Sequence, residues 1–467
     1  MWTRFKYKFI GDSIFYRNVM WVLIPIMVQT GITNFLSLLD NVMVGKLGTE
    51  QMSGVAIVGQ LVYVFVLCIF GGMSAAGIYT AQYYGQGDEE GVRNTLRFKL
   101  VMGLLITAIT IFIFVCFGNS LIELFLRGKS DGGNLKLALF YGKQYLLFML
   151  AGLPAYAIGQ SYSSVLRECG HTLQPMKAGV CAVVINIILN FVLIFGLLGF
   201  PKLGVVGAAV ATSISRYIET GIIVIWSHTH SKTAFFVKGL YKTLKVPGTM
   251  VKQIAVKGTP LLMNETLWSA GLAILLQCYS VRGLNVVAGM NISNTITNVF
   301  AIIYLAMGEA VAIIVGQQLG ANRIEKAKDT ARKMAALSVF IYIIIGSILF
   351  LIAPLFPGIY NTSEEAKRFA LHFIRITAIY LPINAFVNAA YFALRSGGKT
   401  IITFLFDSAF IYLVSVPTAF ILCKHTGLSI EVCYAIVTGV DMVKVLIGIY
   451  LLKKGKWAQN IVAEERS

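Results

Sequence analysis

Apolar residues in this chain form long uninterrupted runs, and polar residues gather in short stretches between them. An α-helix needs about 20 apolar residues to cross the hydrocarbon core of a bilayer. Runs of that length, bounded by charged residues or by Gly and Pro, predict twelve membrane-spanning helices. Their approximate extents are 19–44, 53–82, 98–118, 136–163, 178–199, 204–227, 253–280, 286–318, 333–355, 369–394, 400–423 and 430–452. The pattern therefore predicts an all-α integral membrane protein.

The composition supports this interpretation. Of the 467 residues, 57% are hydrophobic and 13% are charged, and the charged fraction is about half that of an average soluble domain. With a mean hydropathy of +0.76, the chain is neither a secreted domain, a disordered chain nor a cytosolic enzyme. A formal net charge of +18 would suggest nucleic acid in a soluble protein. This chain lacks a soluble protein's polar surface, so we expect no nucleic-acid partner.

The distribution of positive charge predicts the orientation in the membrane. Cytoplasmic loops of membrane proteins carry an excess of Lys and Arg. If the N-terminus is cytoplasmic, most of the 39 Lys and Arg residues fall in loops on that side, beginning with Arg4, Lys6 and Lys8. We therefore expect a multi-pass protein of the cell membrane (plasma or inner membrane) with both termini in the cytoplasm.

One polar segment is longer than the other loops and divides the spans six and six. This organisation predicts an N-terminal lobe at 1–227, a cytoplasmic linker at 228–252, and a C-terminal lobe with a basic tail at 253–467. The two lobes carry an internal repeat. At a shift of 235 positions, residues 75–97 match residues 310–332 at several polar and small positions. The matching residues are Ala75, Ile78, Gln82, Gly85, Glu90, Thr95 and Arg97.

The repeat extends in both directions. The shift of 235 also pairs Pro25 with Pro260, and at a shift of 228 the pattern LP-x-x-A, followed by LR-x-x-G-x-T, occurs at 153–172 and at 381–400. Because each copy contains an even number of spans, both enter the membrane in the same orientation. The repeat therefore predicts two six-helix lobes related by a pseudo-two-fold axis along the membrane normal.

Charged residues within spans are candidates for function, because each costs about 2.5 kcal/mol or more on insertion scales. Arg216 lies three residues before Glu219, and Asp441 three before Lys444, so we interpret these four as structural ion pairs. Four further acids have no basic residue within four positions and are candidates for ion or proton coupling. They are Asp40, Glu265, Glu309 and Asp407.

Asp40 is the most informative of these acids. Asn186 and Asn190 are four residues apart and share one face of the fifth span, and Thr212 lies in the sixth. Counting from the outer loops places all four side chains in the outer half of the N-terminal lobe. A carboxylate, two amide carbonyls and a hydroxyl form an all-oxygen set suited to Na⁺. The acid could instead carry a proton, since burial favours its neutral form, or the amides could simply bridge helices.

Prolines within spans are candidate hinges, because each removes a backbone hydrogen bond and permits bending. The four candidates are Pro25, Pro154, Pro260 and Pro382. Tolerated kinks without movement are the alternative. Tyr and Phe also occur beside the acids, and aromatic walls with a few carboxylates would suit amphipathic organic cations.

Taken together, these motifs resemble the multidrug and toxic compound extrusion (MATE) transporters. The run P-x14-D-N-x-x-V-G-x-L-G begins at Pro25, N-x-x-x-N begins at Asn186, and LR-x-x-G follows the fourth and the tenth spans. The resemblance covers residues 15–455. It implies a two-lobe secondary antiporter in which inward Na⁺ or H⁺ drives the export of cationic, amphipathic compounds.

The resemblance also assigns roles to residues. Asp40 matches the coupling acid of the family's first span, and Asn186, Asn190 and Thr212 match its N-lobe cation site. Glu265 matches the seventh-span acid of the NorM-like branch.

The chain departs from that branch in the tenth span. The branch's acid there would fall near Asn384 or Asn388, which are amides. A C-lobe Na⁺ site of that kind is therefore in doubt, and Asp407 is a candidate to replace the missing acid. The candidates for substrate or proton binding are Glu265, Asp407, Glu309, Asn384 and Asn388.

A flippase for a lipid-linked saccharide is the alternative function. Anionic lipid phosphates need a basic cavity, and Arg375 and Lys143 are cations within spans that have no local acid. An enzyme is disfavoured, because the five His residues are scattered and neither HExxH nor GxSxG occurs. We expect no cofactor other than the coupling ion, small organic cations and membrane lipids as partners, and a monomer.

Overall fold

A computed structural model describes residues 9–126 and 134–463, and in these residues the regular structure is helical throughout. Twelve helices follow the chain order of the predicted spans. They are α1 Ser13–Gly45, α2 Thr49–Gln86, α3 Glu89–Leu126, α4 Leu135–Glu168, α5 Leu173–Phe195, α6 Val205–Thr229, α7 Gly248–Ser280, α8 Leu284–Gly320, α9 Ile324–Ile352, α10 Glu364–Ser396, α11 Thr400–His425 and α12 Ile430–Lys454.

The predicted all-α membrane fold is confirmed. Among the described residues, eleven of these helices are long and apolar enough to cross a bilayer. The remaining helix, α4, is 34 residues long, and Lys143, Gln144 and Tyr145 lower its hydropathy. Many large apolar side chains face outward, as expected where lipid is the solvent.

The chain divides into two compact units. Unit 1 comprises Met1–Met27, Ala81–Gly87 and Ala255–Ser467, and unit 2 comprises Val28–Thr80 and Asp88–Ile254. The first half of α1 packs in unit 1, where Val19, Leu23 and Ile26 join the apolar cluster formed by α8, α9 and α10. Helices α1 and α2 therefore contribute to both units. The lobe boundaries at 227 and 253 stay a prediction.

The repeated Gln-x-x-Gly motif forms a close helix crossing inside unit 1. A Cβ atom on Gly85 would overlap the backbone carbonyl of Gln317, and one on Gly320 would overlap that of Gln82. The motif at the end of α2 thus packs against its own repeat at the end of α8. Only glycine leaves room for two backbones at this separation.

The segment that follows α12 is hydrogen-bonded to Gln82 at this crossing. The side-chain amide of Gln82 donates to the carbonyls of Ser396 (2.8 Å) and Gln459 (3.2 Å), and its Oε1 accepts from the backbone N–H of Ile461 (2.9 Å). Trp457 is buried beside it. A fully buried amide that satisfies three backbone groups links the chain's C-terminal segment to the ends of α2 and α10.

Replacing Gly85 by Ala should lower the stability of the protein. The new methyl group would meet the Gln317 backbone, which cannot rotate away, and overpacking of this kind costs about 1–3 kcal/mol. Thermal unfolding of the purified protein in detergent measures the effect.

Gly59→Ala is the matched control in the same helix. Gly59 is exposed and a Cβ there meets nothing within 4 Å, so Ala should leave stability unchanged or raise it through helix propensity. Equal losses in the two variants would contradict the importance of the crossing.

Candidate functional site

Four of the predicted site residues form a continuous hydrogen-bonded chain in unit 2. The Asn190 side-chain amide donates to Asp40 Oδ1 (2.6 Å) and to Asn186 Oδ1 (2.8 Å). The Asn186 amide in turn donates to Thr212 Oγ1 (3.4 Å). The structure therefore brings together the carboxylate, the two amides and the hydroxyl from α1, α5 and α6.

Glycines at the junction of α5 and α6 allow this arrangement. Gly196 ends α5 with φ +73°, and Gly204 precedes α6 with φ +56°; both are left-handed conformations that glycine adopts without strain. A Cβ on Gly207 would lie 2.6 Å from the backbone of Leu193. Because α6 begins so close to α5, Thr212 comes within hydrogen-bond distance of Asn186.

Asn190 carries an unsatisfied acceptor at the centre of this chain. The residue is fully buried, and its Oδ1 has no hydrogen-bond partner among the described residues. An orphaned buried carbonyl oxygen is costly and demands an explanation. The hydrogen-bonded chain is thus rich in acceptor oxygens, and a small cation or a proton donor would satisfy the Oδ1 of Asn190.

One cation lies near this site. Arg216 and Glu219 form the ion pair predicted from their spacing, with Nη1 and Oε2 3.1 Å apart, which confirms the pairing. The guanidinium also lies 5.1 Å from the centre of the Tyr156 ring. Arg216 lies one helical turn after Thr212, and its charge attracts Asp40. The charge of Asp40 is thus partly compensated without a direct salt bridge in the described part of the chain.

A second polar cluster occupies unit 1 and is centred on a residue that sequence reasoning missed, Asn264. Its side-chain amide donates to Asp407 Oδ2 (3.0 Å) and to the Tyr391 hydroxyl (3.3 Å). Its carbonyl oxygen accepts from the Ser408 hydroxyl (2.7 Å) and the Ser408 backbone N–H (3.3 Å). Because Ser408 fixes the orientation of the amide, the NH₂ group points at Asp407.

The backbone around Asp407 is irregular. Helix α11 contains two consecutive π-helical turns, Leu405–Ala409 and Ile411–Ser415. The Tyr412 hydroxyl donates to the Leu267 carbonyl (2.9 Å) and so fastens the second turn to α7. Single π turns inside α-helices occur frequently at functional sites. Here they place Asp407 and the adjacent serine opposite the same residue of α7.

Two further charges surround this cluster. Lys444 Nζ lies 3.1 Å from Asp441, which confirms the second predicted ion pair, and it also attracts Asp407. Glu265 is attracted by Arg395 and repelled by Asp407. Glu265 and Asp407 are therefore close enough to interact, and each has a basic residue near it.

The internal repeat relates the two clusters. In unit 2, Arg167 donates to the side-chain oxygen of Gln29 (3.3 Å), and a Cβ on Gly179 would lie 3.6 Å from the Gln29 side chain. These positions correspond to the unit 1 cluster, so the repeat was the signal that could have found Asn264. The corresponding pairs are Gln29 with Asn264 at a shift of 235, and Gly179 with Asp407, Arg167 with Arg395 and Arg216 with Lys444 at a shift of 228.

The other candidates lie on α8 and α10. Glu309 is half-buried on α8, directly after Gly308. A Cβ on Gly308 would overlap Oδ1 of Asn388, and this amide oxygen is buried without a hydrogen-bond partner among residues 9–126 and 134–463. Asn384 is half-buried one turn earlier on α10.

The four candidate hinge prolines lie inside continuous helices of the described structure. These are Pro25 in α1, Pro154 in α4, Pro260 in α7 and Pro382 in α10.

Comparison with known proteins identifies the family. The family described as MatE matches the chain over residues 25–192 and 260–421, which together are more than half of its length. The chain belongs to the MatE family. The two matched blocks lie in the two halves of the MATE chain, in agreement with the internal repeat.

Relatives of this MATE chain extend over nearly its whole length. It is 24% identical over 458 residues to the probable multidrug resistance protein NorM of Thermotoga maritima, which covers 96% of this chain and 94% of the relative. It is also 24% identical to the probable multidrug resistance protein YoeA of Bacillus subtilis, with coverages of 89% and 88%. Both relatives are named as probable multidrug resistance proteins.

Solved structures show the same fold. The outward-facing conformation of a multidrug resistance MATE family transporter of the MOP superfamily superposes with a TM-score of 0.83 at 20% identity, covering 97% of this chain and 98% of that one. The Vibrio cholerae MATE transporter VcmN superposes with a TM-score of 0.82 at 17% identity, with coverages of 96% and 99%. The predicted MATE fold of a multi-pass membrane protein is therefore confirmed.

Asn264→Ala should destabilise the MATE fold, because Asp407 and Tyr391 would lose their buried amide donor, and the Ser408 hydroxyl would keep only the Asn264 backbone carbonyl. Leaving such groups unsatisfied costs about 1–3 kcal/mol. Thermal unfolding in detergent measures the loss. Thr266→Ala is the control, since the Thr266 hydroxyl donates only within its own helix, to Leu262. An Asn264→Ala variant as stable as Thr266→Ala would contradict the central role of this amide.

Proposed function

We propose that this MATE transporter is a secondary active antiporter, which exports amphipathic, mostly cationic organic compounds in exchange for Na⁺ or H⁺ by alternating access. It acts in the cell membrane, with both termini in the cytoplasm, as a monomer and without a further cofactor. The observation that carries the proposal is the Asp40 site, where a half-buried carboxylate accepts from Asn190, a residue whose own Oδ1 is buried without a hydrogen-bond partner among the described residues.

The chemistry of this site suits a coupling ion. A bound Na⁺ would be coordinated by hard oxygen atoms, which the Asp40 carboxylate, the amide carbonyls and the Thr212 hydroxyl offer. A proton would neutralise Asp40 and allow it to donate to an acceptor. In either case the negative charge of Asp40 is neutralised, by the bound cation or by protonation, and its hydrogen bond from Asn190 weakens.

This change of charge acts on α1, which belongs to both compact units. Pro25 lies two residues before the point at which α1 passes from unit 1 to unit 2. The missing backbone hydrogen bond at a proline permits bending there. We therefore assign to Pro25 the hinge that couples ion binding at Asp40 to movement of the helix, with Pro260, Pro154 and Pro382 as further hinges.

The substrate candidates follow from the second cluster. Asp407, held by Asn264, acts in place of the acid that is absent from the tenth helix, where Asn384 and Asn388 are amides. Together with Glu265 and Glu309 it offers negative charge, and aromatic residues such as Tyr391 add cation–π attraction. The names of the relatives, which refer to multidrug resistance, support an organic cation as substrate.

A flippase for a lipid-linked saccharide is the second candidate. Arg375 is favourable to it, since its Nε is buried without a hydrogen-bond partner in the described part of the chain and its guanidinium lies 5.2 Å from the centre of the Phe350 ring. A MOP superfamily transporter from Pyrococcus furiosus has a similar fold, with a TM-score of 0.80 at 21% identity. In that protein, reverse polarity of the binding pocket suggests a different function. Loss of function in Arg375→Ala but not in Asp40→Asn would favour this role.

Asp40→Asn should lower the initial rate of ethidium efflux from cells by about tenfold or more, because the amide cannot change its charge when an ion or proton binds. Efflux is measured by fluorescence, with the amount of membrane protein matched by immunoblot.

Asp12→Asn is the matched control. Asp12 is exposed just before α1 and accepts from the Phe15 backbone N–H (2.7 Å), a role that Asn also fills. This variant should keep the efflux rate of the unaltered protein. Full activity of Asp40→Asn would overturn the proposed coupling site.

The coupling ion is identified in proteoliposomes. We expect either an imposed Na⁺ gradient or an imposed pH gradient to drive ethidium transport by the unaltered protein, and neither to drive it in Asp40→Asn. An ethidium transport rate that is the same with and without each gradient would contradict antiport.

A further inference from the structure

The connection between the two halves of the chain carries uncompensated positive charge. Residues 220–264 contain no Asp or Glu but six Lys and two His. The basic start of α9 is different, because two of its three lysines are paired with acids: Lys328 lies 2.8 Å from Glu325, and Lys333 lies 2.6 Å from Asp329. Residues 220–264 therefore contain no acidic side chain of their own to balance this positive charge.

The connection, defined here as residues 230–247 between α6 and α7, is docked on unit 2 at a fixed position. Arg97 of α3 donates to the backbone carbonyls of Gly239 (2.9 Å) and Leu240 (3.0 Å). Phe236 and Leu240 are fully buried beneath it. Arg97 is one of the repeated residues, and it also donates to Glu90 (2.9 Å) and Asn94 (2.7 Å).

An aromatic contact of Tyr241 fixes the orientation of the solvent-exposed side of the connection. The Tyr241 ring stacks on His228, with ring centres 5.7 Å apart and nearly parallel planes, and its hydroxyl is hydrogen-bonded to Tyr162. Tyr241 nevertheless stays 59% exposed, and Leu244 is 55% exposed.

Three exposed lysines, Lys238, Lys242 and Lys245, each lie within three positions of Tyr241 or Leu244 in the sequence. This set of five residues is here called the basic apron. We propose that the basic apron binds the headgroups of anionic phospholipids. Lysines next to a membrane are attracted to anionic headgroups, while Tyr and Leu side chains insert at the boundary between headgroups and acyl chains.

The position of the basic apron favours a lipid over a soluble anion. It lies between the ends of two membrane-spanning helices, on the side that the charge distribution predicts to be cytoplasmic, where anionic lipids concentrate. A soluble phosphate would use the lysines but would leave Leu244 and Tyr241 exposed to water. The proposal does not depend on the transported substrate or on the coupling ion.

The test compares lipids that differ only in headgroup charge. The full-length protein in a neutral detergent is titrated with dioleoyl phosphatidylglycerol or dioleoyl phosphatidylcholine, and bound lipids are counted by native mass spectrometry. We expect tighter binding of phosphatidylglycerol. Because each lysine near an anionic surface changes binding by about fivefold, Lys238→Gln, Lys242→Gln and Lys245→Gln combined should weaken it more than tenfold.

The matched control is the combined variant Lys326→Gln, Lys328→Gln and Lys333→Gln, which removes the same charge from the start of α9. It should keep phosphatidylglycerol binding, and both variants should unfold at the temperature of the unaltered protein. Unchanged binding in the apron variant, or an equal loss in the control, would overturn the proposal. Complete competition by inorganic phosphate would instead identify a site for a soluble anion.

Discussion

A hydrogen bond from a buried asparagine amide to a carboxylate is the interaction on which both polar clusters depend. In unit 2 the donor is Asn190 and the acceptor is Asp40, and in unit 1 they are Asn264 and Asp407. A bilayer offers no water to a polar group inside a helix bundle, so an acid there must find its partner on a neighbouring helix. Each amide therefore joins helices far apart in sequence and holds an acid in the interior.

The two clusters illustrate how a duplicated chain diverges. The framework persists, since Arg167 and Arg395 occupy equivalent positions, as do Gln29 and Asn264. The acid does not persist, because Asp407 corresponds to Gly179, while the acid of the other half lies on α1. Packing preserves the positions of the helices in both copies of the repeat. The position of the acidic residue can differ between the copies, provided that a nearby amide can donate a hydrogen bond to it.

The close crossing at the ends of α2 and α8 depends on a different constraint. The Gln-x-x-Gly motif is visible in the sequence as a repeat, and its conformation is ordinary helix. The role of its glycine is evident only from the contact between the two copies. The absence of a Cβ matters there because the backbone of the other copy occupies the space that a Cβ would fill.

Hydropathy alone determined the helices, their order and the all-α class, because the length and polarity of a span are set by the bilayer and need no knowledge of its neighbours. Spacing along one helix likewise determined the ion pairs of Arg216 with Glu219 and of Asp441 with Lys444. The partners of Asp40 were named by the motifs, but the hydrogen-bonded chain they form, the central role of Asn264 and the docking of the connection on Arg97 were decided by the tertiary structure. The contacts of Asp40 with Asn190, of Asn264 with Asp407 and of Arg97 with Gly239 join residues 150, 143 and 142 positions apart. Only the packing of helices brings such residues within the 3 Å or so that a hydrogen bond requires.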